Sequence, residues 1–321
     1  MTKPTVSSTV LVGAMAFLAC GHAVRAAAQD IQVLRVQGNV YMLAGPGGNT
    51  VVQAGDAGVL VVDTQTAQAS DKLVAAIRSI SPKPIHYIVN TNARPDRIGG
   101  NPALAKIGPT RPNANPLQAG LGGNVDAKTT IIATEKALNR MIGDKEIPPE
   151  AWPTETFFGA DTGVFFNGEG VQILHEPAAQ TDGDAIVFFR RSDVIATGDL
   201  FDTTSYPVID AQQGGSIDGL IAALNHVIDL AIPDLKVQEG GTMIVPGRGR
   251  LCDEQDVIEY RDMVTIVRDR IRYMIGKGRT LDQVKAAKPT LDFDPRYGTD
   301  RGPWTTTMFI EQIYRDLSKE K

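Results

Sequence analysis

The sequence is poor in the residues that most often carry metal and redox chemistry. It has two cysteines and four histidines in 321 residues. It also lacks a basic surplus: 32 Lys and Arg against 37 Asp and Glu leave a net charge of −5, so nothing calls for a nucleic-acid partner. No apolar run approaches the roughly 20 residues of a membrane span. There is no internal repeat and no low-complexity tract. With 42% apolar residues the chain can bury a sizeable core.

The first 28 residues fit an export signal. Lys3 gives a positive start, residues 10–20 (VLVGAMAFLAC) are apolar, and Ala26-Ala27-Ala28 forms a small-residue cleavage site before Gln29. Residues 1–28 are therefore expected to be removed, leaving residues 29–321 as one domain in the periplasm or outside the cell. Lipid attachment at Cys20 is the weaker option, because Phe17-Leu18-Ala19 matches that site poorly. After cleavage Cys252 is the one cysteine left, so no internal disulfide can form. The remaining histidines are His86, His175 and His226.

What is present reads as alternating strands and helices. Valines clustered between Gly38-Asn39, Gly45-Pro46-Gly47-Gly48 and Gly55-Asp56 predict a strand meander over residues 31–63. Apolar periodicity predicts helices over 70–80, 130–142, 216–231, 254–275 and 305–318. Further strands are expected at 85–89, 162–166, 171–175, 184–189, 193–197 and 243–245. Asn101-Pro102 reads as a cap followed by the first helical residue, and Thr280 to Gln283 as a capping box. Residues 107–129, rich in Gly, Pro and Asn, predict a long loop, which in a compact fold is often functional.

Four polar loops follow strand ends, where sites assemble in mixed α/β folds. They are Thr91-Asn92-Ala93-Arg94-Pro95-Asp96-Arg97-Ile98-Gly99-Gly100-Asn101, Gln180-Thr181-Asp182-Gly183-Asp184, Thr197-Gly198-Asp199-Leu200-Phe201 and Pro246-Gly247-Arg248-Gly249. In this order and spacing they resemble the metallo-β-lactamase superfamily, with motifs T-H-x-H-x-D-H-x-G-G-N, A-H-T-D-G-D, T-G-D-L-F and P-G-H-G. The resemblance covers roughly residues 30–317 and implies an α/β fold, an αββα sandwich of two mixed sheets flanked by helices. It also implies two zinc ions at one edge of the sheets. The histidine positions of the first ion hold Asn92, Arg94 and Gln180. Those of the second hold Arg97 and Arg248, while its aspartate is kept as Asp96 and the bridging aspartate as Asp199. A further family histidine outside the metal shell falls at Thr134. Loss so uniform is also what deliberate replacement would leave.

Zinc takes Cys, His or carboxylate ligands. Asparagine and glutamine are poor substitutes, and a protonated guanidinium has no lone pair to give. The expectation is that no metal is held, and that Arg94, Arg97 and Arg248 neutralise Asp96 and Asp199, leaving a guanidinium face for a small, anionic ligand. An arginine pointing to solvent is the plain alternative at each position. The runner-up is a remodelled hydrolase of esters, thioesters or amides, with Asp96 or Asp199 as catalytic base and an arginine steadying an oxyanion. A hard cation on Asp96, Asp199, Asn92 and Gln180 is a further variant, which an inward-pointing Arg94 would oppose. Asp182 and Asp184 read as loop and capping residues, the glycine pairs as turn formers, and Cys252 as a small core residue.

Overall fold

The computed structural model describes residues 30–109, 128–233 and 240–319. The expected signal segment, Cys20 and most of the loop predicted at 107–129 lie outside them.

Strands β1 (Gln32–Gln37), β2 (Val40–Gly45), β3 (Gly48–Gly55) and β4 (Gly58–Val62) run as an antiparallel meander where the valine clusters predict it. Helix α1 (Ser70–Ile80) crosses over to β5 (Ile85–Val89), which lies parallel to β4. Two short helices, α2 (Pro95–Ile98) and α3 (Asn101–Ala105), follow. Strand β6 (Thr130–Thr134), helix α4 (Glu135–Gly143) and strand β7 (Glu155–Phe157) complete a seven-stranded sheet, ordered β1 to β7 as in the chain. The second sheet holds β8 (Asp161–Phe166), β9 (Glu169–Glu176), β10 (Asp184–Phe189) and β11 (Val194–Ala196), antiparallel in sequence. Helix α5 (Ile217–Leu230) then crosses over to β12 (Met243–Val245), which pairs in parallel with β11. Helices α6 (Glu254–Gly276), α7 (Leu281–Ala286), α8 (Asp294–Tyr297) and α9 (Thr306–Ser318) close the described chain.

Three apolar layers make this an αββα sandwich. Between the sheets, Val40, Val51, Leu60 and Val62 meet Val171, Ile173, Val187 and Phe189. On the outer face of the seven-stranded sheet, Val52, Val59 and Val61 pack on Leu73 and Ile77 of α1. On the outer face of the other, Ile186, Ile195 and Ile244 pack on Leu224 of α5 and Val264 and Val267 of α6. Strand β4 reads Val59-Leu60-Val61-Val62 without alternation because both its faces are covered. Each such side chain contributes about 1.5–3 kcal/mol of burial.

Two expectations are corrected. Residues 130–142 are not one helix: Thr130–Thr134 is strand β6, between β5 and β7. Its run Thr-Ile-Ile-Ala-Thr favours strand through its β-branched members. Asn101 does not cap α3; it is the first helical residue and is fully buried. Its amide donates to Asn90 Oδ1 (2.8 Å) and to the Ala151 carbonyl (2.7 Å), and its oxygen accepts from Thr64 (2.8 Å).

The β6–α4 junction puts Thr134 at the helix N-cap. Its hydroxyl oxygen accepts from the Ala137 N–H (3.1 Å), and the hydroxyl donates to the Gly183 carbonyl (2.9 Å). Thr134→Ala is therefore expected to lose about 1–2 kcal/mol of stability in urea unfolding, with Thr134→Ser recovering most of it. An unchanged midpoint for Thr134→Ala would remove the cap from the account.

Candidate functional site

The loops after β4 and β5 in one sheet, and after β11 and β12 in the other, converge at one edge of the sandwich. They bring Asp63, Asn92, Arg94, Asp96, Arg97, Asp199 and Arg248 together. Asp199 and Arg248 come from the five-stranded sheet and the other five from the seven-stranded one, so the cluster joins the two halves of the sandwich.

Arg97 is the largest fully buried side chain among the described residues. One of its Nη atoms donates to Asp199 Oδ1 and also to the Gly247 carbonyl (3.2 Å); the other reaches the Asn49 carbonyl (3.4 Å). Its Nε has no hydrogen-bond acceptor and lies 3.9 Å from Asp63 Oδ2. The guanidinium fits because two glycines line its slot. A Cβ on Gly48, which has φ 112°, would meet Gly247 O at 2.6 Å and an Arg97 Nη at 2.9 Å, and one on Gly247 would meet the other Nη at 3.0 Å. Burial works against the charge on Arg97, but Asp199, Asp63 and Asp96 more than offset it and hold the side chain protonated.

Each carboxylate has its own partners. Asp63, at the end of β4 with φ 59°, accepts from the Thr91 N–H (2.8 Å) and the Thr91 hydroxyl (2.7 Å). Burial pushes its carboxyl up to about 7, with Arg97 and Thr91 acting the other way. Asp199 is also buried, yet it sits well below the usual carboxylate range, because Arg97, Arg94 and the Asn92 amide outweigh its desolvation. The Asn92 amide donates to Asp199 Oδ2 at 3.0 Å. Asp96 takes an Nη of Arg248 on one oxygen and Arg94 Nε, at 3.4 Å, on the other. Arg94 Nε is also 3.5 Å from Asp199 Oδ2, which places it between the two carboxylates.

The result is a ladder of alternating charge: Arg248, Asp96, Arg94, Asp199, Arg97, Asp63. Its outer members are partly exposed, Arg94 by 40% and Arg248 by 35%, and its inner members are closed off. Of the site residues read from the sequence, Gln180 stands aside. Its amide donates to the Asp199 main-chain carbonyl (2.5 Å) rather than joining the carboxylates.

Sequence reasoning missed Asp63 and Thr91 as partners of the cluster. The signal available for Asp63 was an acid ending a run of buried valines, with Thr64 next to it. The retained histidines serve elsewhere. His86 packs on Phe166, with ring centroids 5.6 Å apart. His175 pairs with the Asp182 carbonyl (2.8 Å) and His226 with Glu176 (2.6 Å). Asp182 is bound by Arg140 of α4. Asp184 accepts from the Thr181 N–H (2.6 Å) as a loop brace, while its Oδ1 is buried without a partner. Cys252 is buried beside Ile244, and burial pushes its thiol up to about 12.

A model of the metallo-beta-lactamase superfamily matches residues 35–236, and the chain belongs to that superfamily. No curated protein matches it in sequence. Among solved structures it is similar to a stereoselective inverting sec-alkylsulfatase from Pseudomonas sp., with TM-score 0.62 and 12% identity over 89% of this chain and 50% of that one. This chain thus spans half the length of that protein. It is also similar to a metallo-beta-lactamase from Pontibacter korlensis, with TM-score 0.55 and 14% identity over 74% of this chain and 99% of that one. At such identities the likeness shows the fold alone.

The two zinc ions that the superfamily implies do not fit these residues. Guanidinium nitrogens lie against both retained carboxylates, and Arg94 Nε stands between them. The other positions offer amides, of which Asn92 turns its donor to Asp199. Among the described residues no group of three or more His, Cys, Asp or Glu could hold a metal ion.

Proposed function

We propose that this chain is an exported binding protein on a hydrolase fold, and that its Arg/Asp ladder receives a small anionic ligand where relatives would hold metal. One observation carries the reading. Arg94 is 40% exposed at the mouth, its Nε is engaged by Asp96 and Asp199, and no described residue accepts from its two Nη atoms. A guanidinium anchored on one side and open on the other is a fork for an oxyanion. Export rests on the apolar segment and small-residue cleavage site in residues 1–28.

The hydrolase reading is the weaker one. Asp199 is held ionised by Arg97, and so depressed a carboxylate is a poor general base. Arg94 stands where a hard cation would bridge the two carboxylates. Among the described residues of the cluster, Asp96 is the carboxylate left to act as a base at the mouth.

The test is metal content together with anion response. The purified protein, dialysed against zinc and washed, is expected to keep less than about a tenth of an equivalent of metal. It should gain thermal stability with added small anions, through preferential binding to the folded state. One or two equivalents of bound metal, or hydrolysis of ester, thioester or β-lactam substrates, would overturn the proposal.

A further inference from the structure

We infer that the outer face of α6 binds the same face of a second copy of this chain, the two helices running antiparallel about a two-fold axis between Asp269 and Arg270. This is independent of the Arg/Asp ladder and of what the ladder binds.

Helix α6 carries two stripes. Val257, Tyr260, Val264, Val267 and Ile271 are buried against the five-stranded sheet and α5. On the opposite side, alternating spacings of three and four residues line up Glu259, Asp262, Ile266, Asp269 and Tyr273, all of them exposed. The helix has 23 residues, so the stripe is long enough to seat another helix along several turns.

The first argument is apolar surface. Ile266 is 41% exposed and Tyr273, two turns further on, 67%. Leu291, 58% exposed, stands in the loop that Arg270 holds through Asp292 (2.7 Å) and the Pro289 carbonyl (2.8 Å). A single exposed apolar side chain is ordinary. Three grouped about Arg270 on one ordered helix face make a patch.

The second argument is the order of charge, and it names the partner. The stripe is acidic towards its N-terminal end, with Glu259 and Asp262, and basic past its C-terminal end, with Lys277 and Arg279. Asp262 gives one oxygen to Arg261 (2.7 Å), and its other oxygen accepts from no described residue. Lys277 pairs with no acid among the described residues; its ammonium lies over the Tyr273 ring, 5.4 Å from the centroid. A parallel copy would set like charges side by side, whereas an antiparallel copy sets acid against base. The match extends to single residues. Ile266 and Tyr273 are equally far from the axis on opposite sides, and so are Asp262 and Lys277. Ile266 therefore meets Tyr273 of the copy, and Asp262 meets Lys277 of the copy. The symmetry makes each of these pairs twice.

The experiment is sedimentation velocity of the purified protein over a wide concentration range, up to about 0.5 mM. Ile266→Asp, Asp262→Lys, Lys277→Asp and the double variant Asp262→Lys, Lys277→Asp are run alongside. The expected result is a reversible dimer. Ile266→Asp and each single charge reversal should weaken it by about tenfold or more, because symmetry applies every change twice, and the double variant should return it to within about threefold of the unmodified protein. All three positions are exposed, so the variants are expected to fold, and a thermal melt of each checks it. A protein that stays monomeric at the top of the range overturns the inference. A dimer that the single charge reversals leave unchanged also overturns it, because its interface then lies elsewhere. A dimer that both reversals weaken and the double variant does not restore rules out the antiparallel pairing.

Discussion

Replacing Arg97 by leucine is expected to lower the unfolding free energy by about 3–5 kcal/mol, the usual result of stripping one partner from a buried ion pair. Arg97 is fully buried, and its loss leaves Asp63 with only the neutral Thr91 donors and Asp199 with the Asn92 amide and the more distant, partly exposed Arg94. The same change at Arg94 or Arg248 should cost no more than about 1 kcal/mol, since partly exposed pairs are screened by water. Urea unfolding of the three variants at one pH gives the comparison. The Arg97→Leu, Asp199→Leu double variant should recover part of the loss, because it removes the stranded charge along with its partner. An Arg97→Leu midpoint no lower than that of Arg94→Leu would mean that the ladder does not support the fold.

The second large effect is on pH dependence, and Asp184 isolates it. Burial pushes its carboxyl up to about 7, and the Thr181 donors that act against this do not cancel it. The proton has an evident seat, since Oδ2 is engaged by the Thr181 N–H while Oδ1 has no partner. Between an unfolded value of about 4 and a folded value of about 7, the unfolded chain releases this proton and the folded chain keeps it. Asp184 therefore makes stability fall as pH rises through that range, and the loss levels off above it. Asp63 acts in the same direction. Asp199 acts in the opposite one: its contribution is present above about pH 4 and is lost only in stronger acid. His175, which burial holds below its ordinary value, opposes Asp184 near neutrality. Asp184→Asn cannot lose the proton and keeps an acceptor for Thr181. Its stability relative to the unmodified protein should therefore rise by roughly 3 kcal/mol between pH 4.5 and pH 8. Urea unfolding at several pH values reads this difference directly. A difference that stays constant with pH would mean that the folded protein buries Asp184 ionised.

Much of the fold was legible because period and punctuation agreed. The 3.6-residue recurrence through Val257, Tyr260, Val264, Val267 and Ile271 gave α6, and the glycine turns between valine runs gave the meander. Strand β6 was misread because Thr130–Thr134 abuts a true helix, and a short apolar stretch joined to a helix looks like its first turn. Strand β7 was not seen at all: three residues at a sheet edge carry too little pattern. In the candidate site, the loops and the substituted positions were readable from motif order. Which arginine would be buried was not. Arg94, Arg97 and Arg248 look alike in sequence, and the slot that accepts only Arg97 is made by Gly48 and Gly247, about 50 and 150 residues away. Asp63 escaped for a similar reason, since its place beside Arg97 depends on β4 and β5 lying parallel.

The alternation of charges along the ladder also constrains how the sequence can drift. Asp96 and Asp199 are each shared by two arginines, and Arg97 by more than one acid. A substitution at any inner rung strands the neighbour on each side, so single steps away from this arrangement pass through a damaged protein. Compensated pairs do not. Descendants of this chain should therefore either keep the inner rungs together or replace them together, while the outer arginines are free to vary with whatever ligand selection favours.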